Sequence, residues 1–210
     1  MARTLDAKCR ICRRAGTKLF LRGERCFTPK CAIVRRNYPP GVQGAKKARP
    51  RLTTFGIQLR DKQKCRQLYR ISETQMENYF SKALSQKGDT GVLMQQLLEE
   101  RLDNTVYRLG WARSRDEARQ IVGHGFIRVN NKKVSIPSYQ VKVGDSISLT
   151  QGSEQNKHFT DLIPALEQQK LPSWLTASKG VFEGKIVGVP QGDDLLSPFD
   201  MKLIVEFYSR

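Results

Sequence analysis

Side chains that perform chemistry are scarce in this chain. Only two histidines occur in 210 residues, His124 between two glycines and His158 in a polar stretch. Each reads as a surface or contact residue and not as a general base. There is no Gly-x-Ser-x-Gly, no phosphate-cradling glycine loop followed by Lys-Ser/Thr, and no dinucleotide-binding glycine fingerprint. These absences argue against an enzyme. Long apolar runs are missing too. Nothing approaches the roughly 18 residues that would span a bilayer, and the opening MARTLDAKCR lacks the apolar core of a secretion signal. A soluble intracellular protein is expected.

Acidic residues are nearly absent from the first third. Residues 1–70 hold 3 Asp/Glu against 20 Lys/Arg, whereas residues 71–210 hold 17 of each. The net charge of +17 is therefore carried by the first third alone. Such asymmetry points to a nucleic-acid partner for that region. An acidic membrane surface would also attract it, but no amphipathic helix places a bulky apolar face beside the cations.

Residues 1–45 are also poor in large apolar groups. Leu19, Phe20, Leu21, Phe27, Ile33 and Val34 are most of them. What this arm has instead is cysteine. Cys9-x-x-Cys12 is followed by Cys26 and Cys31, a pattern that matches metal-site spacing. Four thiolates satisfy tetrahedral zinc with no open position, so the site would be structural. A four-iron cluster uses the same ligands, and spacing does not separate the two. Free thiols in a reducing cytosol are the rival reading, weakened because four cysteines fall in so short, basic and core-poor a stretch, and a disulfide pair fits an intracellular protein poorly. A metal would cross-link an arm too small to build a core. The nearby cations Lys8, Arg10, Arg13, Arg14, Arg25 and Lys30 are expected to lower the thiol pKa values. Cys65, within a helical run, reads as a small buried side chain.

Tyr38-Pro39-Pro40-Gly41 leads into GAKKARPR, residues 44–51, a polycationic segment expected to stay flexible until it meets phosphate. A nuclear signal is the rival reading, weakened because cations continue on both sides. Periodicity then predicts a helix over 54–69. A second helix opens at the capping-box pattern Ser72-x-x-Gln75 and closes by Gly88. Thr90 is expected to cap a long helix with Leu93, Leu97, Leu98, Leu102, Val106 and Leu109 on one face and Gly110 at its end.

The chain is organised around residues 101–145. After Gly110, Ser114-x-x-Glu117 reads as a further capping box. Ala118, Ile121 and Val122 form the apolar stripe of the helix it opens, and Gly123 and Gly125 break it. Phe126–Val129 alternates like a strand, Asn130-Asn131 is a turn signal, and Val134–Ile136 reads as a second strand stopped by Pro137. Eight cations lie between Arg108 and Lys142, opposed only by Asp116 and Glu117. Arg115 and Arg119, four apart, are expected on one exposed face. Cations on both helix and hairpin form a concave basic surface suited to a phosphate backbone. Farther on, residues 141–149 and 181–187 read as strands, 159–169 as a short helix, Trp174-Leu175 as a core anchor, and 201–207 as a weakly alternating last strand.

Several of these runs carry a resemblance. Arg101-Leu102-Asp103-Asn104, Tyr107-Arg108-Leu109-Gly110, Ser114-Arg115, Ala118-Arg119-Gln120, Gly125, Val129-Asn130 and Pro137-Ser138-Tyr139 resemble the small RNA-binding domain named after ribosomal protein S-four. That module also occurs in some tRNA synthetases and pseudouridine synthases. With the cysteine set, Arg35-Arg36-x-Tyr38-Pro39-Pro40-Gly41 and the closing Glu206-Phe207-Tyr208-Ser209-Arg210, the chain is similar to bacterial-type ribosomal protein S-four in its four-cysteine form.

The resemblance implies an α+β protein. Residues 1–45 would be a basic metal-binding arm and residues 46–97 a helical domain, to which 198–210 return. Residues 98–197 would be the S-four-type domain with C-terminal strands. It also implies a non-catalytic, cytoplasmic constituent of the small ribosomal subunit. Such a protein binds a multi-helix junction of the 16S rRNA 5′ domain, nucleates the 30S body, supports decoding accuracy and lines the path by which mRNA enters. Its partners would be the third and fifth small-subunit proteins and, for some members, their own operon mRNA, with no membrane. Cys9, Cys12, Cys26 and Cys31 are the expected ligands of Zn2+ or of an iron–sulfur cluster. The expected RNA contacts are Arg13, Arg14, Arg35, Arg36, Lys46, Lys47, Arg49 and Arg51 in the arm, and Arg113, Arg115, Arg119, Arg128 and Lys132 in the module. Two readings compete: an RNA-modifying or RNA-ligating enzyme carrying the same module, and a zinc-dependent DNA-binding regulator.

Overall fold

Caps and glycines set most of the helix limits. The computed structural model of the chain describes residues 6–45, 51–167, 169–178 and 180–210. These fall into two units, one running to Gln95 and taking in Ser197–Arg210, the other Gln96–Leu196. The first unit opens with α1, Lys8–Ala15, stopped by Gly16 at φ +75°, where the left-handed cap lets its N–H reach the Cys12 carbonyl. A short helix α2, Ala32–Arg35, follows. The Thr53 hydroxyl accepts from Gly56 N–H to start α3, Thr54–Tyr69. Helix α4, Glu73–Leu84, begins on a full capping box between Ser72 and Gln75. Helix α5, Thr90–Glu99, is capped one residue earlier than expected. Asp89 Oδ1 accepts from Gly91 and Val92 N–H at 2.8 and 3.3 Å.

Two sequence expectations are corrected here. The long helix through Leu109 is two helices, α5 and α6, Leu102–Arg108. Arg101 between them is extended and bridges Gln140, and Leu102 N–H donates to the Tyr139 carbonyl at 2.8 Å. A partner strand segment has captured the backbone there, while the apolar period runs on through the break. Residues 201–207 are not a strand but lie in α10, Met201–Tyr208. Asp200 caps it through Lys202 N–H, and a helix puts Ile204 and Tyr208 on one face against α3 and α4. Its β-branched and aromatic residues favour a strand, but propensity yields to tertiary packing. Gln58 Nε2 donates to Glu206 Oε2 at 2.8 Å, and Asp200 N–H donates to Asp61 Oδ2 at 3.1 Å. Tyr208 stacks on Phe80 with centroids 5.0 Å apart.

The second unit packs α6 and α7, Arg115–Gly123, onto a five-stranded antiparallel sheet of order β2-β1-β3-β5-β4. The strands are β1 Ile127–Val129, β2 Lys132–Lys133, β3 Ser146–Leu149, β4 Leu175–Ala177 and β5 Glu183–Ile186. The second strand is thus Lys132–Lys133, not Val134–Ile136. A two-residue loop closes the hairpin, with Asn130 and Asn131 both at positive φ (+49° and +64°). That geometry matches strand twist, and asparagine tolerates it. The expected helix at 159–169 is two short pieces, α8 Lys157–Thr160 and α9 Ile163–Glu167. Buried faces of β1, β3 and β5 meet Leu102, Val106, Leu109, Ile121 and Val122, and Trp174 is buried as expected of a core anchor. Gly184 of β5 lies so close to Leu109 that an added Cβ would sit 2.9 Å from its side chain. Trp111, Phe182 and Phe159 interlock edge-to-face at 5.8 and 5.3 Å. No helix among the described residues is long and apolar enough to cross a membrane.

Candidate RNA interface

In the second unit the basic surface rests on a buried polar lattice. Arg101, with no solvent exposure, grips Asp103 through two parallel bonds of 3.0 and 2.7 Å. Arg119 Nη1 reaches the same carboxylate at 3.3 Å. Arg108 forms a second two-pronged pair with Glu99, both bonds 2.8 Å. Asn104 joins the halves. Its amide N–H donates to Glu99 Oε2 at 2.8 Å, and its oxygen accepts from Arg115 Nε at 2.8 Å. The Arg115 guanidinium also lies 4.5 Å from the Tyr107 ring centre. Buried charges persist only when paired and hydrogen-bonded, and forked Arg–carboxylate geometry meets both needs.

Arg115 and Arg119 therefore do not stand on an open face as their spacing suggested. Both are half-buried and tied to α6. Arg128 is also half-buried, its guanidinium donating twice to the Asn131 carbonyl at 3.0 and 2.7 Å, which braces the hairpin loop. Arg113 and Lys132 are exposed. Ser114 caps α7 through Glu117 N–H, but the Glu117 carboxylate accepts from Arg113 N–H, so the reciprocal half of the capping box goes to a neighbour.

In the first unit, Arg14, Arg35, Arg36 and Arg51 are exposed. Arg13 is half-buried. It donates to the Arg36, Tyr38 and Pro39 carbonyls at 3.2, 3.0 and 3.2 Å and stacks 4.6 Å from the Tyr38 ring centre. Lys46, Lys47 and Arg49 lie outside the described residues. Arg10, Arg13, Arg25, Lys30, Arg35 and Arg36 line one cavity of about 270 Å³. Three of these, Arg10, Arg25 and Lys30, were not among the expected contacts, although their closeness to the cysteines in sequence was a usable signal.

Cys9, Cys12, Cys26 and Cys31 are free thiols that share a second cavity, of about 20 Å³. A single water or ion fills that volume. Among the described residues, however, no three His, Cys, Asp or Glu side chains are grouped so as to hold a metal ion. Cys12 departs from the expectation of lowered thiol pKa values. Burial pushes its thiol up, as do the three neighbouring cysteines, against a hydrogen bond at Leu19 that favours the thiolate.

The buried lattice and the cationic arm describe a scaffold that presents charge in fixed places. Comparison with known proteins agrees. Residues 3–99 match the family described as ribosomal protein S4/S9 N-terminal domain, and residues 100–147 match the S4 domain. The chain is 49% identical to small ribosomal subunit protein uS4 of Geotalea daltonii, with all of both chains covered. It is 49% identical to the uS4 protein of Halothermothrix orenii and 47% identical to that of Syntrophobacter fumaroxidans, again over the whole of each. A likeness that spans the whole chain, and so both units, places it in the uS4 family of small-subunit ribosomal proteins.

Proposed function

We propose that the protein is a structural, non-catalytic constituent of the small ribosomal subunit that binds rRNA in the cytoplasm. The full-length likeness to uS4 proteins carries this reading. Its mechanism is electrostatic and geometric. Cations displace counterions from phosphates, while a rigid lattice keeps them in register with a folded RNA. The exposed Arg14, Arg35, Arg36, Arg51, Arg113 and Lys132 make the phosphate contacts. Arg13, Arg115, Arg119 and Arg128, already spoken for within the protein, hold surfaces in place and contribute field. The RNA is a multi-helix junction in the 16S 5′ domain, where binding seeds the 30S body. The third and fifth small-subunit proteins and the mRNA path are its neighbours. The test is binding of the full chain to a 16S 5′-domain transcript at two salt concentrations, with duplex DNA and unrelated RNA as competitors. Tight binding that resists both competitors is expected. Displacement by any polyanion would return the chain to a generic tether.

The four cysteines of the arm hold a structural metal, and Zn2+ suits four sulfur donors. Support comes from four free thiols around a space of about 20 Å³, which favours a single ion over an iron–sulfur cluster. Holding it requires the thiols to close on that space, and the bound ion would cross-link α1 to the segment after Cys26. About one zinc per purified chain is expected, with a lower thermal midpoint after chelation. A metal-free preparation whose midpoint does not rise with added zinc would retire this reading.

A further inference from the structure

The arm carries an aromatic feature that phosphate neutralisation does not use. Phe27 is 71% exposed, although it sits in a region short of apolar residues to bury. It is not loose. Its ring stacks on Phe20 at 5.1 Å with an interplanar angle of 28°. Phe20 is held at φ +51°, in the left-handed region that bulky side chains avoid. Conformational cost of this kind, found next to an exposed ring, is a reason to look for a ligand. The setting supplies one. Two residues before Phe27 stands Arg25 and three after it Lys30, and both line the 270 Å³ cavity together with Arg10, Arg13, Arg35 and Arg36. Among the described residues, no carboxylate lines that cavity. A concave group of cations with no carboxylate among its lining residues attracts an anion.

The geometry points to a nucleotide subsite: an unpaired RNA base stacks on the outer face of Phe27, backed by Phe20, and an adjacent phosphodiester occupies the cationic cavity. Single-stranded RNA is read in this way, by aromatic faces that take a splayed-out base next to a positive groove that tracks the backbone. A duplex offers no free base face, so the arm selects an unpaired nucleotide within the folded RNA. This rests on the rRNA-binding reading above and adds to it the class of element that the arm reads.

The test uses the full-length protein and the 16S 5′-domain transcript. Phe27→Ala and Phe27→Leu both weaken binding by about 5- to 150-fold, the usual loss for one base stack, with the salt slope unchanged because no cation is removed. Phe27→Trp retains affinity within a few-fold, and its indole emission is quenched on binding. The native Trp111 and Trp174 are buried, and the change they give on binding is subtracted with the wild-type protein. Because Phe27→Leu keeps the apolar bulk, a loss of fold does not imitate a loss of stacking. A Leu variant that binds like the wild type, or a Trp variant whose emission ignores saturating RNA, overturns the subsite. A wild-type protein that does not prefer the transcript to unrelated RNA overturns instead the rRNA reading beneath it.

Discussion

Asn104 illustrates what one side chain does in this protein. An amide has a donor end and an acceptor end, and here the two ends face Glu99 and Arg115. Neither aspartate nor leucine could serve both. Asp103 works beside it, accepting two bonds from the fully buried Arg101 guanidinium. Replacing Asp103 by alanine would take the paired carboxylate from a buried guanidinium, and breaking a buried pair in this way costs about 3–5 kcal/mol. Urea unfolding of Asp103→Ala should show a loss of that order, and a change below about 1 kcal/mol would mean that Arg101 finds other relief. At this scale the sequence was half legible. Cation counts and spacing are visible in a string. Pairing between helices is not, which is why Arg115 and Arg119 were expected outward and are drawn inward. The turn at Asn130-Asn131 was plain, because positive φ leaves few residue choices. Asn131→Val, forcing a β-branched residue to φ +64°, should cost about 1–3 kcal/mol, read as a drop in the denaturant midpoint.

At the scale of elements, α10 shows how a local pattern is overruled. Its sequence alternates weakly, but α3 and α4 present a surface that only a helix can match. The anchor is Glu73 of α4, which accepts from both Lys62 and Tyr208. Burial alone would raise the Glu73 pKa. Hydrogen bonds from Lys62 and Tyr208, with the charges of Lys62 and Arg66, outweigh it and hold the carboxyl below its ordinary value of 4.5. Burial and the Glu73 hydrogen bond push the Tyr208 hydroxyl upward, so it remains a donor throughout the neutral range. With the folded pKa below the unfolded one, this stabilisation is full above the ordinary carboxylate range. It fades as pH falls through the lowered folded value. Stability against pH should thus be flatter on the acid side for Glu73→Gln than for the wild type. Parallel curves would show that Glu73 does not set the acid limb. The split between α5 and α6 teaches the same lesson. Apolar periodicity reports which face is buried, not whether the backbone has been borrowed by a strand.

For the whole molecule, charge is the dominant quantity, and it was fully legible. The excess of +17 in residues 1–70 makes RNA affinity strongly dependent on salt. Each phosphate neutralised steepens the slope of log K against log salt by about 0.9. Changing Arg14, Arg35 and Arg36 together to glutamine should flatten that slope by roughly 2–3 and weaken binding at low salt. An unchanged slope would move the phosphate contacts elsewhere. The arm's four cysteines were legible only as a possible donor set. Four cysteines at ligand spacing name the chemistry, and nothing in a linear string fixes how closely the thiols gather.

The return of α10 to α3 also has a consequence in time. Asp61 and Asp200 are joined by a hydrogen bond across 139 residues, and a ribosome adds roughly 5–20 residues each second. For about 7–28 s after α3 emerges, the face that α10 will cover has no α10 to meet. The unit Gln96–Leu196, contiguous in the chain, meets no such delay. During synthesis the middle of this protein can finish folding before the face of α3 and α4 that α10 covers is closed.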